Sequence, residues 1–457
     1  MMKRHDYRLG DKDVFVLDFP DNDIEAVHWV YSPLAEVSLL VGDKELVDLQ
    51  HAFDNPDDIP DGIQDEYRQL TLYEHTVSDL KKEIEAESFD RLVIIPNTIC
   101  NFNCSYCFSA AGRMGKEVDL HACYAAVDDY LQRKKDAVLK LGFVGGGEPM
   151  LSFDIVEKTL EYAARLASEH KMDYDFHIVT NGSIIDDTIV KVLRKYHVTL
   201  GISFEILKDV QETQRGHYAL VSQNIRRFIE AGIVPGIKTT ITPFCVSRMN
   251  EMVETAHTDY PEIQNILFQV VNDPSLFVCA EAFRDFLSDY IRNFFTSKHL
   301  GVKKGIKVQD TLQAHCKQSS CRYCPGEYCL TPSGTLSSCD CVSSPKESLY
   351  ETFVYGTVVE KSIRINHEKL LQLKKSNVFS EEKCSHCFAK YHCGSDCLYR
   401  RKILPPHFHA ETCRFNKEFI RRELFDTFSD ALYSVTGKDI SDYLASASSE
   451  QTSPHES

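Results

Sequence analysis

The sequence predicts an α/β protein: a partial (β/α)6 barrel, TIM-like, preceded by a small α+β module and followed by a cysteine-rich domain. Three observations lead there. Strand-like and helix-like segments alternate from Arg91 to about Asn272, no cysteine precedes Cys100, and 11 of the 17 cysteines fall between Cys316 and Cys413. In the first module, DVFVLDF and AVHWVYSPLAEVSLLVG read as short antiparallel strands and Lys44–Phe53 as a helix. The acidic, proline-containing DNPDDIPDGIQDE reads as a loop or linker and Ser78–Ala86 as a charged helix. The barrel strands are expected at Arg91–Pro96, Lys140–Val144, Tyr174–Thr180, Val198–Phe204, Gly236–Thr242 and Asn265–Val271. Between them, Val118–Val138, Ile155–His170, Ile184–Tyr196, Ala219–Ala231 and Arg248–Thr258 carry apolar residues at helical spacing. Six such units argue for a parallel sheet wrapped by helices, and six are fewer than the eight of a closed TIM barrel. The expected divisions are 1–88, 89–310, 311–425, and a C-terminal helix with a polar tail over 426–457, whose SASSEQTSPHES end is of disordered composition.

Composition narrows the function classes. With 457 residues, 43% hydrophobic and 26% charged, the chain has room for two or three globular domains. Its 51 basic against 68 acidic residues, a net charge of −17, argue against general nucleic-acid binding, which wants phosphate-neutralising cations. No run approaches a membrane span and the N-terminus has no signal-like apolar core, so no membrane partner is expected. The expected compartment is a reducing cytoplasm, where 17 cysteines point to metal rather than to disulfides.

The most informative run is NTICNFNCSYCF, directly after the first barrel strand. Its C-x3-C-x2-C spacing places Cys100, Cys104 and Cys107 on one loop. A four-iron cube fully held by protein needs four thiolates, so three leave one iron open to a small molecule. Zinc would want a fourth Cys or His close by, and this loop offers none. With Tyr106 before the last cysteine, the loop resembles the signature of the radical S-adenosylmethionine (SAM) enzymes, whose fold is a partial (β/α)6 barrel. In that family the open iron chelates SAM and the cluster cleaves it to a 5′-deoxyadenosyl radical, so Cys100, Cys104 and Cys107 are the implied catalytic ligands.

The resemblance assigns further roles. Gly145-Gly146-Gly147-Glu148-Pro149, after the second strand, is similar to the family's GGEP motif, in which glycine backbone and Glu hold the amino group of SAM. Thr180-Asn181-Gly182 looks like the family's turn near the SAM pocket, which makes Asn181 a cofactor-binding candidate. Ser203 and Glu205 occupy the place of a Ser-x-Asp pair that contacts the ribose and methionine parts, with Glu in place of Asp. Arg215 looks like the cation that pairs with the SAM carboxylate.

A second cysteine pattern follows. Cys384-x2-Cys387-x5-Cys393-x3-Cys397, with Cys413 beyond, and Cys324-x9-Gly334-x4-Cys339 ahead of it, resemble the SPASM extension of radical SAM enzymes. Paired zinc knuckles would be spaced evenly, with four ligands each. The resemblance implies two auxiliary 4Fe–4S clusters, three in all. One would be held by Cys384, Cys387, Cys393 and Cys413. The other would use Cys324, Cys339 and Cys397 with either Cys316 or Cys321, or would keep an open iron. Cys329 and Cys341 match no ligand position, and Cys123, Cys245 and Cys279 are expected as small buried hydrophobes.

The family resemblance implies an oxidoreductase that cleaves SAM and modifies a ribosomally made precursor peptide, through a thioether or a carbon–carbon bond. A small electron donor such as flavodoxin or ferredoxin is the implied partner. Residues 1–88 loosely resemble leader-recognition modules, and a sheet edge there offers a leader a place to add as a strand. As a separate module they are expected to be removable with the clusters intact. A sulfatase maturase is the alternative enzyme reading, against which the long N-terminal module counts. A non-catalytic iron–sulfur electron carrier is the alternative of another class, and it would need no GGGEP motif.

Overall fold

The computed structural model describes residues 6–20, 27–73, 76–312, 327–438 and 440. Cys316, Cys321, Cys324 and the polar SASSEQTSPHES end lie outside the described residues.

The chain opens with a four-stranded antiparallel sheet in sequential order: β1 (Tyr7–Arg8), β2 (Phe15–Leu17), β3 (Val27–Ser32) and β4 (Val37–Gly42). Helices α1 (Asp43–Asp54), α2 (Gln64–Thr71) and α3 (Val77–Glu85) follow. Helix α2 lies inside and beyond the stretch expected to be a linker, because Tyr67 and Leu70, three residues apart, give it one buried face. Alternation along β2 and β3 sends side chains to two faces, and both are covered. Val16 and Val30 join Leu49, Phe53, Tyr67 and Leu70 in a small core, while Phe15, Leu17, Trp29 and Tyr31 enter the main core of the molecule.

The six expected barrel strands are present as β5 (Arg91–Ile94), β6 (Leu139–Phe143), β7 (Tyr174–Thr180), β8 (Thr199–Ser203), β9 (Gly236–Ile241) and β10 (Asn265–Val270). Each is parallel to the next. Helices α4 (Leu120–Arg133), α5 (Phe153–Glu169), α6 (Asp187–Lys195), α7 (Lys208–Gln214), α8 (Tyr218–Glu230) and α9 (Met249–Asp259) fill the crossovers. In β9 the residues alternate: Ile237, Thr239 and Ile241 are buried toward the helices, and Gly236, Lys238 and Thr240 are half-buried on the other face, the inside of the barrel. Caps fix where the helices begin. The Asp119 carboxylate accepts from His121 N and Ala122 N at the start of α4, and Asp186 accepts from Ile189 N at 2.8 Å in α6.

Two further parallel strands extend this sheet. After the 25-residue α10 (Ala280–Lys304), closed by Gly305 in the left-handed region, β11 (Lys307–Asp310) pairs with β10. On the opposite edge β12 (Glu327–Leu330) pairs with β5 and continues antiparallel into β13 (Thr335–Ser337), β14 (Val354–Val359) and β15 (Ser362–Ile365). Among the described residues no ladder joins β11 to β12, so the sheet stays open.

The N-terminal sheet is not a separable appendage. Trp29, fully buried, lies 5.8 Å from the Phe425 ring and stacks on Phe428 at 6.4 Å, both on the C-terminal helix His409–Thr436. The buried Asp13 carboxylate accepts from Lys390 Nζ at 2.6 Å and Tyr391 OH at 2.7 Å, and Tyr31 OH meets His392 Nε2 at 2.6 Å. These three partners immediately precede Cys393. The packing sets residues 1–88 against the segment that leads into Cys393, a contact the expected removal would break.

Candidate active site

The loop carrying Cys100, Cys104 and Cys107 leaves the carboxyl end of β5, where open α/β sheets collect their chemistry. Asn97, fully buried, anchors its root: Nδ2 donates to Glu148 O at 2.9 Å and Ser152 Oγ at 2.8 Å, and Oδ1 accepts from Ile99 N at 2.9 Å. The three thiols are half-buried and unpaired by disulfides. Phe102 N donates to Cys100 Sγ at 3.5 Å, and Arg113 approaches Cys107 Sγ at 3.7 Å. Burial raises Cys104 against the pull of Arg215, with Cys107 and Cys100 both in electrostatic range. Three soft donors on one loop, with the Phe102 N–H and the Arg113 guanidinium directed at sulfur, fit an iron–sulfur cube open at one iron.

The glycine run is demanded by packing. Gly145 and Gly146 hold positive φ (69° and 64°), and a Cβ on Gly147 would collide with Ile99 O and Asn97 Oδ1. The turn is thereby pressed against the root of the cysteine loop. Glu148 is 2% exposed; its carboxylate accepts from Met150 N (3.0 Å), Thr180 Oγ1 (2.5 Å) and Asn181 N (2.7 Å). Burial raises its carboxyl, and these three donors oppose the rise. A carboxylate has about four acceptor positions, so one remains for an ammonium group.

Asn181 Nδ2 donates to Asn101 Oδ1 at 2.9 Å, and Asn101 Nδ2 donates to Ser183 Oγ at 2.9 Å, tying the third strand's turn to the cysteine loop. Ser203 ends β8, half-buried, paired in register with Lys238. Glu205 is fully buried: Tyr106 OH donates to Oε1 and Thr240 N donates to Oε2 at 3.0 Å. Burial pushes Glu205 up to about 7, against the lowering effect of Arg215 and the Tyr106 hydroxyl. Arg215 donates from Nη1 to Tyr106 OH at 2.9 Å and lies 3.9 Å from Glu205, while its buried Nε has no partner among the described residues. The extra methylene of Glu over Asp is thus spent on reaching Tyr106, the residue beside Cys107.

The C-terminal cysteines form two groups. Cys413 and Cys387 each act electrostatically on both Cys384 and Cys393, and Asn416 Nδ2 donates to Cys393 Sγ at 3.2 Å. Four thiols are the number a fully ligated cube takes. Cys397 acts electrostatically on Cys339, and the Cys339–Asp340 stretch lies over the glycine turn, where a Cβ on Gly145 would be 2.9 Å from Asp340 O. Cys329 sits in an apolar cluster with Val93 and Ile95. Cys123 and Cys245 are buried, as expected, whereas Cys279 is half-buried and its Sγ accepts from Ala282 N at the start of α10.

Several participants were not visible as motifs. His177 faces the barrel interior, where a Cβ on Gly142 would strike its ring; burial, followed by the charge of Arg91, pushes it down to about 4, so it is neutral. Asn101 and Arg113 flank recognised motif residues, and only the strand alternation signals Lys238 and His177.

An open parallel barrel with three thiols at the end of its first strand and a glycine turn at the end of its second defines a radical SAM fold. Residues 94–258 match the model of the Radical SAM superfamily, so the chain carries a radical SAM domain. It is 28% identical over 152 residues to an uncharacterized protein of Methanocaldococcus jannaschii, covering 30% of this chain and 51% of that one. It is 24% identical over 147 residues to the radical SAM cyclopropyl synthase TigE of Paramaledivibacter caminithermalis, covering 29% of this chain and 30% of that one. The matches thus span about half and under a third of these curated relatives. Among solved structures, anSMEcpe with bound AdoMet and a Kp18Cys peptide superposes with a TM-score of 0.56 at 16% identity, over 74% of this chain and 98% of that one. That likeness shows the fold. No helix among the described residues is long and apolar enough to cross a membrane.

Proposed function

We propose that this protein is a radical SAM enzyme that cleaves SAM reductively and modifies a ribosomally made precursor peptide by forming a thioether or carbon–carbon bond. The observation that carries it is the meeting, at the carboxyl ends of β5 to β8, of the three-thiol loop, the last free acceptor position of Glu148 and the unpartnered Nε of Arg215. A cube on Cys100, Cys104 and Cys107 supplies, when bound, the electron that cleaves SAM and leaves a 5′-deoxyadenosyl radical. Glu148 receives the SAM ammonium group and Arg215 the carboxylate. Gly145, Gly146 and Gly147 bring backbone to the ligand, and Asn181 and Ser203 line its pocket. Glu205 holds Tyr106 and Arg215 in place.

In this reading residues 89–310 are the catalytic core, 311–425 hold two auxiliary 4Fe–4S clusters, and 1–88 read the leader. Among the described residues the edge strand β4 pairs only with β3, so its outer backbone groups suit strand addition by a leader. The anSMEcpe structure contains a bound peptide, which supports a peptide substrate on the same fold. A flavodoxin or ferredoxin in the cytoplasm would supply electrons. The test is anaerobic incubation of reconstituted protein with SAM and dithionite: 5′-deoxyadenosine is expected, and its absence with the clusters intact would refute the proposal.

A further inference from the structure

The inner face of the barrel carries a polar patch on β8 to β10. Alternation puts Ser203 on this face of β8, Lys238 on that of β9 and Gln269 on that of β10, all half-buried. The register fixes their neighbours: Ser203 pairs with Lys238, and Thr240, two residues beyond Lys238, pairs with Gln269. Thr240 N donates to Glu205 Oε2 at 3.0 Å, and Glu205 accepts from Tyr106. Lys238 therefore stands two residues, about 7 Å along the strand, from the group that braces the cysteine loop.

Lys238 is set apart by what it lacks. Among the described residues its ammonium has no ion pair and no hydrogen bond, and the Gln269 amide has no hydrogen bond either. Other lysines withdrawn from water are paired: Lys140, on the inner face of β6, with Asp136, half-buried Lys298 with Glu423 at 2.9 Å, and buried Lys390 with Asp13 at 2.6 Å. A charge withdrawn from water without a partner is costly to the fold, and a lysine on its long stem is a ready point-charge ligand. There is also room beside it. Gly201 and Gly236 pair two residues before Ser203 and Lys238, and a Cβ would meet nothing closer than 3.6 Å on the first or 4.0 Å on the second. The charge of Lys238 also acts on His177, on the same face of β7.

Arg215 already serves the SAM carboxylate in the proposed function, so an anion at Lys238 belongs to a second ligand. The anion that an unmodified peptide carries is a carboxylate, and an ammonium beside an amide N–H offers it two donors. We propose that Lys238 and Gln269 form a subsite for a carboxylate of the peptide substrate, and so select peptides with an acidic side chain or a free C-terminus near the reacting position. The inference rests on the reading of a peptide substrate.

The test gives the reconstituted full chain, with SAM and dithionite, pools of short random synthetic peptides. One pool contains Asp and Glu and has amidated C-termini, the next has Asn and Gln in their place with the same amide, and the last has Asn and Gln with free C-termini. The readout is 5′-deoxyadenosine formed above the peptide-free rate, compared between pools within each variant. One of the two carboxylate pools should exceed the carboxylate-free pool about ten- to a hundredfold, the range of one charge-assisted bond, and which pool does so identifies the source. Lys238→Met should erase that preference, Lys238→Arg should keep it, and Gln269→Glu, which sets a like charge beside the carboxylate, should reduce it. Equal responses of the unmutated protein to all pools, or a preference that survives Lys238→Met, would overturn the subsite and leave the peptide substrate standing. Should Lys238→Met fail to hold iron, an unchanged preference in Gln269→Glu would overturn it equally. No response to any pool, with peptide-free SAM cleavage intact, would overturn the peptide reading and the subsite with it.

Discussion

Cys100, Cys104 and Cys107 come from one loop at the end of one strand, rooted by Asn97 and braced by Tyr106, Glu205 and Arg215, all within the barrel. Cys384, Cys387, Cys393 and Cys413 come instead from a bend, a one-turn helix and the start of the long C-terminal helix, and the N-terminal sheet packs against that stretch. The first site is local in sequence and depends on the rigidity of a parallel sheet. The second lies where the two ends of the chain meet. Damage at a distance should therefore spare the first and cost the second.

Removal of residues 1–88 should break the comparison most severely. It strips Trp29 from Phe425 and Phe428 and leaves Lys390 without Asp13. The truncated chain should lose about four irons, those of the Cys384 site, or fail to remain soluble. Full iron content in a soluble truncated protein would make the module an appendage after all. A narrower probe is Asp13→Ala. It leaves a buried ammonium unpaired, which costs about 3–5 kcal/mol, so the unfolding midpoint and the Cys384-site iron should fall together. Adding Lys390→Met should recover much of the loss, because the uncompensated charge is then gone.

At the barrel end, Glu148→Gln removes a charge-assisted bond worth about 1.5–3 kcal/mol. SAM affinity, measured by equilibrium binding, should fall about ten- to a hundredfold with iron content unchanged. Unaltered affinity would remove Glu148 from the ammonium site.

How much of this was legible in the sequence follows the same division. The Cys100 loop, Glu148 and six barrel strands could be read because spacing and strand alternation are local properties. Asp13 with Lys390 and Tyr31 with His392 are pairings between remote positions that no local pattern encodes. Strands β11 and β12 have four residues each, too few to show a period. Helix α2 was hidden because the prolines and aspartates before it read as a linker, while only Tyr67 and Leu70 mark its buried face.

The smallest expected effect concerns pH. Burial lifts the folded value of Glu205 from 4.5 to about 7. Its contribution to stability is complete below about 4.5 and is lost as pH rises through about 7. Thermal midpoints of the protein should decline across that window, and Glu205→Gln should flatten the decline. An identical slope in the variant would show that Glu205 does not titrate there.

The most direct measurement of the division between the two sites is the iron content and SAM cleavage of the Cys100→Ala, Cys104→Ala, Cys107→Ala protein beside the unmutated one. Three cubes predict about twelve irons in the unmutated protein and about eight in the variant, with 5′-deoxyadenosine formation abolished. Iron near four in the unmutated protein, or continued SAM cleavage by the variant, would contradict the account.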